Sequence, residues 1–393
     1  MDPRVRAEIL QDLRTYAPTI ELEEIVASHG SPLIVIDPAR ARARVAQLEN
    51  ELPFVRLNYA VTALPHPSIV RALWGRTGFS LSTVRELDLL EAAGVPADGA
   101  ILTLPVKTPA DIARSYAAGI RTFMVDSPAE VDKFVGLAKD LRVLVRIATG
   151  DAASPAAGIA PENVVNLVRY ALSRGINTSG IALHLGSAAQ SAQQVGDAVR
   201  RSIAVIDEVE RRLGVHLDML DLGGGWGAPA ELATVGSVLR SVLGPRAGSI
   251  TVIAEPGRCI ADAATLHVTR VIGQSTRDGV VVQHIDDGVD GALTMAASAS
   301  EPVLFGLQEV LGDTERLFPS VIVGSSGTDR DVLSTDALLP ALAIGDIIVG
   351  ARVGAYSQAV ALGSAPSTPI VVTGEVTDTR PAAAPARGLV AVA

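Results

Sequence analysis

Cysteine and lysine are the scarce residues of this 393-residue chain. The one cysteine, Cys259, cannot close an intramolecular disulfide and has no cysteine companions for a zinc cluster, which fits a reducing compartment. Lysine occurs only at Lys107, Lys133 and Lys139, so a reaction that needs an amine nucleophile has few places to find one. No run reaches the ~20 apolar residues of a membrane span, and residues 1–11 lack the basic-then-apolar order of a secretory leader. With 33 Lys+Arg and a formal net charge of -10, the surface is poorly matched to a phosphate backbone. These absences predict a cytoplasmic protein with neither nucleic acid nor membrane as a partner, and no metal centre.

What is present suits a large core. The length and a 48% share of hydrophobic residues accommodate a barrel of ~250 residues and a second, smaller domain. Short β-rich runs alternate with amphipathic segments every ~25 to 35 residues, the rhythm of repeated βα units around a parallel sheet. The runs expected as strands are 33–36, 57–61, 78–81, 100–104, 122–125, 143–147, 180–184, 219–222 and 250–254. Helices are expected over 82–93, 127–139, 161–174 and 195–213, several opening on Ser or Pro. After about residue 262 the pattern becomes β-branched runs with turns, at 266–272, 280–285, 320–323, 347–349 and 370–373. The expected fold class is therefore α/β, a (β/α)8 barrel over 33–262 with a β-rich domain over 263–378. An N-terminal segment, 1–32, is expected to pack with the β domain. The last stretch, 379–393, is rich in Ala and Pro and nearly uncharged, which predicts a disordered tail.

In such a barrel, chemistry sits where strands end. Five groups stand there: His184-Leu-Gly-Ser187, Asp221-Leu-Gly-Gly-Gly-Trp226, Glu255-Pro-Gly-Arg258, Arg146 within 143–149, and Gly354-Ala-Tyr356 in the β domain. Glycines after a strand let backbone N–H groups approach an anion. With an Arg, a Ser and a Tyr hydroxyl they make a phosphate cradle. A Glu aimed at a protonated ring nitrogen and a His face stacked on a ring would complete a site for a phosphorylated heteroaromatic cofactor. Taken singly, each has a plainer reading: a tight turn, a surface ion pair, a core histidine.

Their order and spacing carry more than any one of them. With Tyr59-Ala-Val61 and Arg146-Ile-Ala-Thr149, the set closely resembles the fold-type III decarboxylases that use pyridoxal phosphate, the ornithine and diaminopimelate decarboxylase family, from about Pro32 to Ala359. The resemblance implies a barrel of the alanine racemase and ornithine decarboxylase type, a C-terminal β domain and a head-to-tail homodimer with shared active sites. His184 would stack on the pyridine and Ser187 would touch the phosphate. Gly224, Gly225, Gly257, Arg258 and Tyr356 would surround that phosphate, Glu255 would bind the ring nitrogen, and Arg146 would lie near the ring. Glu86 matches a supporting glutamate.

The departures fall on the reacting groups. The family's lysine directly after Tyr-Ala-Val is Thr62, whose hydroxyl cannot form an imine with an aldehyde. The partner-donated Gly-Pro-Thr-Cys-Asp run appears as Gly324-Ser-Ser-Gly-Thr328, with Gly327 for the proton-donating cysteine and Thr328 for the substrate-binding aspartate. Asp290 stands for a Tyr, the Tyr-Asp pair for a basic side chain falls near Ser298 and Ala299, an aspartate after Gly-Phe is Ser80, and the mobile-loop motif is replaced around Gly158-Ile159. Lys107 matches a lysine that the family keeps outside imine chemistry. His66, in a Pro-flanked loop where Asn is common, reads as a solvated residue or an acid–base group, and Cys259 as an inert buried thiol.

These losses touch both halves of a shared site, so natural divergence explains them better than one laboratory change. The expected ligand is a small amino-acid-derived or phosphorylated molecule, with pyridoxal phosphate held non-covalently. The expected function is a repurposed enzyme in which His184, His66, Thr62 or Cys259 moves protons. One alternative is an inactive subunit that pairs with or regulates an active paralogue, as a homodimer or heterodimer. The other is a conventional decarboxylase.

Overall fold

The computed structural model describes residues 3–137, 140–148, 158–184, 191–226, 229–293, 302–312, 316–357 and 368–374. The expected tail, 379–393, lies outside them. Strand β1 (Leu33–Ile36) is buried at every position and belongs to the β domain, pairing antiparallel with a strand that starts at Thr265 and parallel with one over Ile370–Val372. This corrects the expectation that the run opens the barrel. An all-apolar run suits any strand covered on both faces, so hydropathy does not distinguish a barrel stave from the centre of a sheet.

The barrel comprises eight parallel strands: β2 (Val55–Ala60), β3 (Gly78–Leu81), β4 (Ile101–Leu102), β5 (Thr122–Val125), β6 (Arg142–Arg146), β7 (Thr178–Ala182), β8 (Met219–Asp221) and β9 (Thr251–Ala254). Closure comes from β9 pairing back on β2, with Val55 opposite Val252 and Leu57 opposite Ala254. Ile101, Met124, Leu144, Ala182, Met219 and Ile253 form a small cluster of their own, separate from the larger core that the helices cover. Side chains alternate across a strand, so this split follows from one face pointing into the barrel and the other toward the helices. Side-chain caps start the helices: Thr108 and Ser191 each close a capping box, and Asp37 accepts from the N–H of Ala39 at 2.8 Å.

The helix expected over 127–139 is shorter, Pro128–Asp132. Lys133 Nζ reaches back to the Lys107 carbonyl at 2.6 Å, and Gly136 takes φ +81°, so the chain turns before a second helical turn is complete.

The β domain continues with β10 (Thr265–Arg277), β11 (Val280–Ile285), β12 (Val303–Gly306), β13 (Phe318–Val323), β14 (Val332–Leu339), β15 (Ile347–Ala351) and β16 (Ile370–Val372), ordered β12-β15-β10-β11-β13-β14 with β1 and β16 attached through β10. Helices Pro3–Tyr16 and Leu22–His29 bury Leu13, Leu22 and Val26 against Leu33, Phe305 and Val349 of this sheet. Arg6 fixes the first helix: it grips Glu309 with two bonds of 2.7 and 2.9 Å and covers the Phe305 ring at 4.5 Å. Glu309 is 2% exposed, so removing its cation strands a buried charge. Arg6→Met is expected to lower stability by about 3 kcal/mol, read as a fall in the urea midpoint that Glu309→Gln partly reverses in the double variant.

Candidate active site at the barrel mouth

The C-terminal ends of β6, β7, β8 and β9 bring four of the five motif groups together. Gly223 (φ +64°) and Gly225 (φ +92°) hold left-handed backbone, and a Cβ on Gly223 would lie 2.4 Å from the Leu183 carbonyl oxygen. Only glycine accepts both conditions. The resulting turn is tied on three sides. The Gly223 N–H donates to Asp221 at 2.8 Å, the Gly224 N–H to His184 Nδ1 at 3.3 Å, and the Glu255 N–H to the Gly223 carbonyl at 2.8 Å.

Two carboxylates and one guanidinium sit below this turn. Asp221 is 0% exposed and Glu255 7%, and burial raises both above the usual carboxylate range, opposed in each case by Arg146. Arg146 is itself lowered by burial and supported by Glu255, Asp221 and Asp126. Glu255 Oε1 and Asp221 Oδ2 are buried and accept no hydrogen bond. A buried carboxylate oxygen in this condition is an acceptor in need of a donor. His184 is pushed down to about 4, first by burial and then by Arg146, so its ring is neutral near pH 7. The neutral ring is held at Nδ1 by the Gly224 N–H.

Tyr356 completes the mouth from the β domain. Its N–H donates to the Ala63 carbonyl at 2.8 Å, and the Arg258 guanidinium lies over its ring at 5.2 Å. Gly257 lets the two segments close on each other. A Cβ there would stand 2.9 Å from Ala63 Cβ and 3.2 Å from the Tyr356 hydroxyl. The Ala63 that Tyr356 grips belongs to the short turn Val61–Ala63, which places half-buried Thr62 at the end of β2. The Thr62 hydroxyl faces Glu86, which is 4% exposed, accepts from the Ser82 N–H at 2.6 Å and is pushed by burial up to about 7.

Other expected residues are elsewhere. His66 is half-buried, and its Nδ1 caps helix Pro67–Leu73 by accepting from the Ser68 N–H at 3.3 Å. Gly327 lies on an exposed turn between β13 and β14 with φ +65°. Lys107 Nζ donates to the carbonyls of Leu104 and Pro105 at 2.8 Å each, and to that of Met124, which fixes it as a loop tie. Burial pushes the Cys259 thiol up to about 11, so it is an inert thiol at neutral pH. Ser187, Thr149, Ser298 and Ala299 lie outside the described residues. A cleft of about 230 Å³ lined by Ser82, Arg85, Leu104 and Lys107 adjoins the mouth but contains none of the cradle residues. Asp221 and Asp126 were not expected as charge partners of Arg146. The available signal for Asp221 was a carboxylate as the last residue of a fully buried strand.

The family model for the pyridoxal-dependent decarboxylase, pyridoxal binding domain, matches residues 39–262. The chain belongs to this decarboxylase family. A lysine/ornithine decarboxylase of Selenomonas ruminantium is 28% identical over 353 residues, 86% of this chain and 88% of that protein. Antizyme inhibitor 1 of Rattus norvegicus is 25% identical over 337 residues, 79% and 75% of the two chains. The lysine/ornithine decarboxylase of Vibrio vulnificus, solved in complex with putrescine, superposes with a TM-score of 0.81 at 31% identity, covering 91% of this chain and 99% of that one. The decarboxylase family thus includes relatives named as enzymes and relatives named as regulators. The fold, a closed parallel barrel with a largely β second domain, is the fold of that family.

The family's cofactor can be tested against the residues present. A pyridinium N–H would satisfy the buried Glu255 oxygen, and the Arg258 guanidinium beside Tyr356 is a cation for an anionic group. The residues fit pyridoxal phosphate.

Proposed function

We propose that this chain binds pyridoxal phosphate reversibly at the barrel mouth and uses it, without a lysine anchor, on a small amino-acid-derived substrate. The observation that carries this reading is the buried, unsatisfied Glu255 oxygen beside an intact glycine cradle. When bound, the cofactor supplies an electron-withdrawing ring that stabilises a developing carbanion.

The chain's own residues do the rest. Glu255 holds the ring nitrogen, and Arg146 opposes the upward shift that burial imposes on Glu255 and Asp221. His184 presents a neutral ring face. Gly224, Gly225, Arg258 and Tyr356 hold the phosphate, and Ser187 takes the family's phosphate role. Thr62 leaves the ligand free to exchange, and with Gly327 and Thr328 in place of an acid and a carboxylate, proton return falls to groups at the barrel mouth.

Trp226 provides the test. It is buried, and its indole N–H donates to the Gly223 carbonyl at 2.7 Å, so it reports on the turn itself. Pyridoxal phosphate is expected to quench Trp226 saturably, to leave no borohydride-reducible adduct, and to bind at least about tenfold more weakly to Arg258→Met, which removes the cation beside Tyr356. Absence of quenching and of any absorbance change in the folded protein would overturn the reading.

A second reading is a regulatory subunit, favoured by the match to antizyme inhibitor 1 together with the loss of the reacting groups. Heterodimer formation on mixing with a lysine-bearing paralogue supports it. A stable homodimer with its own turnover excludes it.

A further inference from the structure

The peptide that joins Gly223 to Gly224 is fixed in orientation by its carbonyl. That oxygen accepts from the Trp226 indole at 2.7 Å and from the Glu255 N–H at 2.8 Å, while the Gly223 N–H on the other side of the residue is held by Asp221 at 2.8 Å. A trans peptide points its N–H away from its carbonyl, so the Gly224 N–H has one direction open to it. His184 stands there, and its Nδ1 accepts at 3.3 Å. The ring also lies directly on the turn. A Cβ on Gly223 would be 3.0 Å from His184 Nδ1, and one on Gly224 would be 3.1 Å from its Cε1, so the two missing side chains make room for an imidazole. The next N–H, on Gly225, is bonded to nothing among the described residues. The nest of donors is therefore half-engaged from within.

We propose that His184 is an internal competitor for the cradle: its Nδ1 takes the Gly224 N–H, and an oxygen of a phosphate monoester or of free phosphate gains that donor only as the imidazole gives it up. This rests on the phosphate reading of the cradle and adds an exchange to it. Because the carbonyl of the same peptide is tied twice, the imidazole is the partner that yields. The N–H keeps a bond throughout, trading a neutral ring nitrogen for an anionic oxygen, the stronger acceptor. The penalty falls on His184, whose half-buried Nδ1 loses its donor. Apparent phosphate affinity is then the intrinsic affinity reduced by the fraction of molecules in which the imidazole has let go. A net hydrogen bond corresponds to a factor of roughly two to ten, so the cradle binds phosphate that much more weakly than its own donors permit. His184 acts through the Gly224 N–H and is a positioning residue. A side chain in its place that lacks an acceptor strengthens anion binding, whereas a residue that only supports the turn would weaken it when replaced.

The test uses the whole protein with inorganic phosphate, followed by phosphorus NMR titration. His184→Phe and His184→Leu, which remove the acceptor with and without keeping a ring, are expected to bind phosphate about fivefold more tightly than the wild type. His184→Gln, which keeps an acceptor oxygen, should change by less than about twofold. Unchanged or weaker phosphate binding in folded Phe and Leu variants overturns the proposal, as does a Gln variant that gains as much as Phe. A second measurement depends on no variant. Nitrogen NMR of wild-type protein labelled at histidine should show a ring with its proton on Nε2 and a hydrogen-bonded Nδ1, and this Nδ1 should move toward the unbonded range as phosphate is added. No histidine ring that follows the phosphate titration in this way overturns the exchange. Pyridoxal phosphate separates the two readings. Trp226 quenching by it without any gain in phosphate affinity overturns the exchange and leaves the binding reading intact. A gain in phosphate affinity without quenching overturns the binding reading and leaves the exchange. Failure of both ligands to bind overturns both.

Discussion

Thr62→Lys is expected to convert a pocket that releases pyridoxal phosphate on gel filtration into one that retains it stoichiometrically as a borohydride-reducible adduct. The backbone at position 62 is already held for this. Tyr356 grips the Ala63 carbonyl at 2.8 Å and Ala60 donates to the Pro256 carbonyl at 3.2 Å, so the turn over Val61–Ala63 is locked to the segment that carries Glu255 and Gly257. A lysine there needs no new backbone placement. Glu86 faces the position and stabilises the ammonium form before reaction. Covalent capture by a positioned amine draws on effective molarities of about 10⁵ M or more, so retention should change from none to complete. Mass spectrometry of the reduced protein locates the adduct. A folded Thr62→Lys that forms none at saturating cofactor would show that the mouth admits a different anion. Decarboxylation of a diamine precursor should not return with it, because Gly327 and Thr328 still stand where the family has its cysteine and aspartate.

The barrel was legible in the sequence because its strands are short apolar runs at regular intervals, and all eight were found within a few residues. The site's phosphate half was legible for a related reason. Left-handed backbone at Gly223 and Gly225 and close approach at Gly257 leave no choice of residue type, so the need is written in the sequence as glycine. Three features were not. Strand β1 has the composition of a barrel stave, and only pairing assigns it to the other sheet. Strand β14, VLSTDALL, is exposed at half of its positions and lacks the apolar signature of a strand. His66 was judged by its proline neighbours, whereas its actual partner is the Ser68 N–H two residues on, an ordinary cap bond made by an uncommon capping residue.

A protonation pattern emerges that no single residue announces. Burial and then Arg146 push His184 down to about 4, burial pushes Glu86 up to about 7, and burial raises Glu255 against Ser80 and Arg146, which hold it down. One arginine therefore opposes the effect of burial in the ring-binding half, and no arginine is among the influences on Glu86 in the Thr62 half. A pocket that had drifted without function would be expected to lose Arg146 or Glu255 as readily as the lysine, since a buried charged cluster is costly to keep. The retention of the cluster is an argument for a bound ligand.

That cost can be measured. Arg146→Met is expected to lower stability by about 3 to 5 kcal/mol at pH 8, and by much less at pH 5.5. The side chain leaves Asp221 and Glu255, 0% and 7% exposed, as neighbouring buried carboxylates with no shared cation. Both already bind protons more tightly folded than unfolded, where their values are about 3.9 and 4.3. For acids shifted upward, the folded state holds the extra protons, so their favourable contribution is present at low pH and is lost as pH rises through the folded values. Removing Arg146 shifts both further up and widens that window toward neutrality. Urea midpoints of the variant and the wild type should therefore diverge from pH 5.5 to pH 8. Glu255→Gln added to Arg146→Met should recover part of the loss at pH 8, because one of the two charges is gone. Asp221→Asn should recover less, since Asp221 also accepts the Gly223 N–H at 2.8 Å and orders the turn. An equal loss at both pH values would mean that Arg146 acts by packing and that the carboxyl pair is neutral without it.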